Sequence, residues 1–206
     1  MTDQSTRRLN ETNRVEAFSD GVFSIAITLL VLELAIPATQ GDFLNDLVGE
    51  WVSYIAYLAS FASIGVLWMG HHTVFTRIAG VDSGLLWRNL VLLLTVSVLP
   101  FPTAVIASAY RVGTSADQAT AVVAYGLVGM ASGVAWFLLI GYLARNVHLH
   151  DPAADPRFFR LTEPLVTLVG YGIAAAIGWF VSPAIALAIF LVFPILYVVR
   201  VRSQAG

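Results

Sequence analysis

The chain of 206 residues contains no cysteine. That excludes thiol redox chemistry, disulfide staples and thiolate metal sites. Lysine is also missing, so all 11 basic residues are arginine, a bias that fits the codon usage of a high-GC bacterium. Charge of either sign is scarce, at 12% of residues against about 25% in an ordinary soluble domain. A net charge of −2 supplies no basic field for nucleic acid. What is present instead is apolar: 58% of the residues are hydrophobic. These proportions point to a membrane protein, read here as a multi-pass protein of a bacterial inner membrane. The opening "MTDQSTRRLNETNR" has no short apolar core ending in a small-residue cleavage site, so it is not a secretory signal. Residues 1–13 are read as a solvated cytoplasmic tail.

A membrane span needs about 20 mostly apolar residues. Inside lipid it must be a helix, because its backbone groups have to be satisfied within the segment. Six candidates meet the requirement, which predicts an all-α polytopic fold. They run from about Val15 to Ile36, stopping at Pro37; Leu47 to Phe75; Leu85 to Tyr110; Ala119 to Ala144; Leu161 to Val181; and Pro183 to Val199. The second is long enough to tilt or to project into water, and the third contains "LPFP" at Leu99–Pro102. Together they form a six-helix unit over 14–200, followed by a short tail at 201–206.

Arginine placement sets the orientation. With the N-terminus inside, the inner segments hold Arg7, Arg8, Arg14, Arg77, Arg88, Arg145, Arg157, Arg160, Arg200 and Arg202, and the outer loops hold only Arg111. Both termini are therefore expected in the cytoplasm. The first outer loop is acidic, with Asp42, Asp46 and Glu50.

Two features of the later spans have plain explanations. Gly126, Gly129, Gly133 and Gly141, with Ser132 and Ala135, mark the fourth span as a surface for close helix approach, inside one subunit or between subunits. "TLVGYG", Thr167 to Gly172, contains the VGYG string of the ordinary potassium-channel filter. Such a filter needs an irregular loop with carbonyls aimed into a pore. Here the string sits inside an unbroken apolar run, and its threonine is one position too early. A helix is expected.

Ionisable residues at membrane depth are costly and usually paired. Asp20 lies near the inner end of the first span, at a level with Arg14, with His71 and His72 of the second span, and with Arg88 and Asn89 of the third. Three readings follow. Asp20 is a structural anchor to neighbouring helices, with Ser19 helping; or Asp20 and His71 or His72 form the proton relay of a cation carrier; or these side chains hold a metal. Adjacent histidines on a helix point about 100° apart, which disfavours the metal. No nucleophile stands in an elbow motif, so the chain is not read as an enzyme.

The first span has a second face. At about 100° per residue, Phe18, Val22, Ile25, Leu29, Leu32 and Ile36 share one stripe, with Thr28 beside it, and Asp20 points about 140° away from Ile25. Asp20 and Glu16 would face protein. The stripe would face lipid, a neighbouring helix or something else apolar.

"RVEAFSDGVFSIAITLLVLEL", Arg14 to Leu34, resembles the signature of the transmembrane protein 175 family through its R-x-x-x-F-S-D-G opening: Arg14, Phe18, Ser19, Asp20 and Gly21. "WMGHHTVF" and "NLVLLLTVSVLPFPT" resemble that family's second and third helices. The resemblance is specific over the first three helices. It implies a potassium channel that is a homotetramer in the bilayer, with no carbonyl-lined filter and no cofactor, and potassium as the permeant ion. The first helix of each subunit would line the pore. Rings of aliphatic side chains would constrict it, here at Ile25, Leu29 and Leu32, with a hydroxyl ring at Thr28 tied to potassium preference. The motif Arg14, Phe18, Ser19 and Asp20 would be buttressed by Trp68, His71 or His72, and Asn89. A ring of Ile or Leu dewets a narrow pore and so acts as a gate, and one helix per chain encloses a conduit only in a symmetric oligomer. Glu33, Asp42 and Asp46 would concentrate cations at the outer mouth, or form an ordinary solvated loop.

Overall fold

The computed structural model describes residues 2–34, 36, 41–155 and 159–205, with side chains between 12 and 196. The expected stop at Pro37 and the side chains of Arg7, Arg8, Arg157, Arg200 and Arg202 lie outside the described residues. Among the described residues eight α-helices follow one another: α1 Thr2–Leu29, α2 Phe43–Gly49, α3 Trp51–Phe75, α4 Ser83–Val98, α5 Pro100–Val112, α6 Ser115–Arg145, α7 Thr162–Phe180 and α8 Pro183–Ala205. Among the described residues there is no strand, only an isolated bridge between Ile78 and His150. Five helical segments among the described residues are long and apolar enough to cross a membrane: Thr12–Glu33, Trp51–Phe75, Ser83–Val112, Ser115–Arg145 and Thr162–Phe180. The sixth expected span is α8, whose apolar stretch Pro183–Leu196 is the shortest.

The helix boundaries follow from local chemistry. Asp82 caps α4, its carboxylate accepting from the Leu85 N–H at 2.8 Å. Thr114 and Asp117 form a reciprocal capping box at the start of α6. Pro100 stands in the first turn of α5 and Pro183 opens α8, where the missing N–H costs nothing.

Three expected spans differ in outline. The third is two helices, α4 and α5, parted at Leu99, because Pro100 and Pro102 cannot donate to the carbonyls one turn back. The second divides at Glu50 into the short α2 and the long α3. The first lies within a longer helix that begins at Thr2, so the polar opening is helical as well. It then tightens into a 3-10 turn over Leu30–Glu33.

Packing answers the glycine question within the chain. A Cβ at Gly126 would lie 2.6 Å from the Ala175 Cβ, one at Gly129 would lie 2.2 Å from Cδ1 of the Tyr171 ring, and one at Gly133 would lie 3.0 Å from the Leu168 backbone. The small residues of α6 thus let α7 approach closely. The VGYG string is helical within α7. Gly170 there backs onto Phe193, and the Tyr171 hydroxyl pairs with Ser63 Oγ at 2.7 Å. Nearby, Ser60 Oγ pairs with Thr103 Oγ1 at 2.7 Å and donates to the Tyr125 hydroxyl at 3.0 Å. These buried hydroxyls staple α3 to α5, α6 and α7.

Polar contacts fasten both ends of the bundle. At one end Arg111 grips Glu50 with two hydrogen bonds, Nε to Oε1 at 2.7 Å and a terminal nitrogen to Oε2 at 3.0 Å. At the other, Arg88 lies 4.1 Å from the centre of the Tyr142 ring, and the Tyr142 hydroxyl donates to Asp82 at 2.7 Å. The loops after α3 and α6 are stitched there by Ala79 N–H to Leu149 O, 2.8 Å, and Asp151 N–H to Arg77 O, 2.9 Å. We call the Glu50 end distal and the Arg88 end proximal.

Candidate functional site

Helix α1 packs on α3 and α4 through one face only. Ser19, Phe23, Ala26 and Leu30 are between 0% and 1% exposed, and their spacing of three and four is the helical repeat. The other face is open. Phe18 is 57% exposed, Ile25 60%, Leu29 42%, Leu32 73% and Ile36 88%. Val22 departs from the expected stripe, being half-buried against the main core.

Two details shape the open face. Side chains three apart eclipse in a 3-10 turn, so the tightening over Leu30–Glu33 brings Leu32 toward the line of Leu29. The exposed Thr28 donates its hydroxyl proton to the Ile25 carbonyl at 2.9 Å. Its oxygen lone pairs are left facing outward, and a hydroxyl carries two of them.

The polar residues of α1 go to the opposite side. The Trp68 indole N–H donates to Asp20 Oδ1 at 2.9 Å. Ser19 donates to the Val15 carbonyl and accepts from the Asn89 amide, both at 2.9 Å. Asn89 Oδ1 then faces His71 Nε2 at 2.9 Å. Since that amide oxygen can only accept, the His71 proton resides on Nε2 in this arrangement, and the bonds run Val15–Ser19–Asn89–His71 through α1, α4 and α3. The buried His71 ring is stacked on Phe75 with centroids 4.0 Å apart and meets Phe23 at 5.4 Å. Its Nδ1 is buried without a hydrogen-bond partner.

His72, one residue on, points elsewhere: its Nδ1 lies 2.8 Å from Glu16 Oε1, and its ring stacks on Trp68. Among the described residues neither histidine hydrogen-bonds Asp20 directly; His71 meets Asn89 and His72 meets Glu16. Arg14 and Phe18 of the motif are exposed and stand outside this network. Sequence reasoning missed the Glu16–His72 pair and the aromatic sandwich around His71. The signal for the first was a carboxylate one helical turn before Asp20, on the same face.

A chain of this kind is a multi-pass, all-α membrane protein whose first helix is laced to its own bundle on one side and left bare on the other. The family model described as the endosomal/lysosomal potassium channel TMEM175 matches residues 14–100. A protein of Streptomyces collinus named a potassium channel is 42% identical over 183 residues, covering 87% of this chain and 88% of that one. The crystal structure of a lysosomal potassium-selective channel TMEM175 homolog from Chamaesiphon minutus superposes with a TM-score of 0.79 at 34% identity, covering 93% of this chain and 98% of that one. A mouse protein named an endosomal/lysosomal proton channel, TMEM175, is 37% identical over 97 residues, which is 19% of its length. The chain belongs to the TMEM175 family, a family of ion channels and not of enzymes, and its bacterial relatives make it a multi-pass protein of the cell membrane.

Proposed function

We propose that the chain, through its six-helix unit over 14–200, is one subunit of a homotetrameric potassium channel. Helix α1 of each subunit lines a central pore, and no carbonyl-lined filter or cofactor is used. Ile25, Leu29 and Leu32 form the constricting rings, and Thr28 offers a hydroxyl layer to the passing cation. One observation carries this reading: α1 turns aliphatic side chains outward while its polar residues bond inward to α3 and α4. Lipid alone would be served by the stripe, but the lone pairs of Thr28 beside it would not. A narrow aliphatic ring dewets, so it blocks ions until the rings widen. A single hydroxyl layer replaces little of a hydration shell, so potassium preference over sodium is modest. Ser19, Asp20, Trp68, His71 and Asn89 serve as the latch that holds α1 in register, with His72 bonded to Glu16 beside them. The relatives named potassium channels support potassium as the permeant ion.

Purified protein in liposomes tests the reading. Potassium should flow down its own gradient with no pH gradient imposed, and Ile25→Asn or Leu29→Ala should raise the flux. Potassium flux that vanished unless protons moved in exchange would establish a carrier instead. Unchanged flux in both variants would remove α1 from the pore.

A further inference from the structure

Helix α2, Phe43–Gly49, takes no part in the proposed pore or in the latch. It is nonetheless built with care. Asp42 caps it, accepting from the Asn45 backbone N–H at 3.3 Å and from the Asn45 side-chain amide at 2.6 Å. At about 100° per residue, Phe43, Leu47, Leu44 and Val48 fill one arc, while Asn45, Gly49 and Asp46 fill the other. The division is complete, with no polar residue on the apolar side. That apolar side is uncovered: Phe43 is 52% exposed, Leu44 72% and Val48 63%.

We infer that α2 is an interfacial helix that beds this apolar arc into the acyl chains of the distal leaflet. Three observations select lipid as the occupant. First, α2 joins α3 at Glu50, the distal limit of a membrane-spanning helix, so it starts where hydrocarbon gives way to headgroups. Second, that junction is fastened and ringed by aromatics. The Tyr54 hydroxyl donates to the Leu47 carbonyl at 3.0 Å, Ser53 donates to Glu50 at 2.8 Å, and Trp51 and Tyr110 lie at the same level. Trp and Tyr favour this depth of a bilayer. Third, charge argues against a second copy. The polar arc and its flanks carry Asp42, Asp46 and Glu50, and Arg111 is already held by Glu50. Two copies packed through α2 would bring carboxylate against carboxylate. Nine residues separate Glu33 from Phe43 in the sequence, so a lipid-anchored α2 would tether the distal end of α1 to the bilayer.

The missing cysteine makes the test clean, because a single introduced thiol is the only labelling site. Leu44→Cys, Val48→Cys and Asp46→Cys are each spin-labelled in the full chain in liposomes, after size-exclusion and potassium flux show the protein intact. Collision with oxygen reports lipid, and collision with a water-soluble nickel chelate reports water. Labels at 44 and 48 should favour oxygen and lie about 5–10 Å below the headgroup boundary, while the label at 46 should favour nickel. Nickel access at 44 and 48 equal to that at 46 would overturn the inference. So would exclusion of both reagents at 44 and 48 with spin–spin broadening, which would place a second copy there instead.

Discussion

The two faces of α1 are made of similar material and have different fates. Phe23, Ala26 and Leu30 are sealed inside one subunit, while Ile25, Leu29 and Leu32, interleaved with them, are open. Hydrophobicity therefore does not separate them; the polar residues do. Ser19 and Asp20 find partners on α4 and α3, and since buried polar groups must be paired, those bonds fix the rotation of the helix. Rotation then decides which aliphatic residues become core and which stay exposed. The sealed face supplies stability within the chain, and in the proposed tetramer the open face would line the pore.

Substitutions on the two faces should separate cleanly. Phe23→Ala opens a cavity beside His71 and should cost about 3–5 kcal/mol, read as a lower unfolding temperature and a poor yield of monodisperse protein. Ile25→Asn should leave the unfolding temperature within the range expected of a surface change, about ±0.5 kcal/mol. It should raise potassium flux by about tenfold or more, since removing ~1.4 kcal/mol of barrier already gives a factor of ten. If Ile25→Asn unfolded the subunit as Phe23→Ala does, the two faces would not be distinct.

Much of this arrangement is legible in the sequence, for a physical reason. A 3.6-residue period is a property of one segment, so the stripe of Ile25, Leu29 and Leu32, and the opposite placement of Asp20, follow from Arg14–Leu34 alone. Pairing is a property of two helices. That Trp68 takes Asp20, that Asn89 takes both Ser19 and His71, and that Glu16 takes His72 depends on the depth and rotation of α3 and α4, which spacing along the chain does not encode. The half-burial of Val22 has the same origin. The proline pair in "LPFP" marks the break at Leu99, and the glycine and carboxylate in "LVGEWV" mark the break at Glu50.

The latch yields smaller effects. Asn89→Ala removes the link between Ser19 and His71 and leaves the His71 N–H without its acceptor. Hydrogen bonds between membrane helices contribute about 0.6–2 kcal/mol, so the unfolding temperature should fall measurably. Potassium flux should change through the setting of α1, rising if the latch holds the rings closed. Asp20→Asn should do less, because the amide oxygen still accepts from the Trp68 N–H. Potassium flux should survive it. Abolished flux in a well-folded Asp20→Asn protein would move the chemistry from the open face to the latched one and favour proton coupling.

The smallest effect belongs to the distal end, away from both faces. The two hydrogen bonds from Arg111 hold the Glu50 carboxyl below the usual glutamate range, with Ser53 adding to the shift. A carboxyl whose value is lower in the folded chain stabilises that chain above the unfolded value, and the contribution is lost as pH falls through the folded value. The pair is partly solvated, so the gain is about 0.2–1 kcal/mol at most. The unfolding temperature should therefore slip as pH drops into and below the glutamate range. In Arg111→Gln that portion of the slope should disappear, with flux at neutral pH unchanged. A slope identical in both proteins would show that the acid sensitivity arises elsewhere, and would leave the Glu50–Arg111 pair as a fastening for the junction of α2 and α3 with no measurable part in stability.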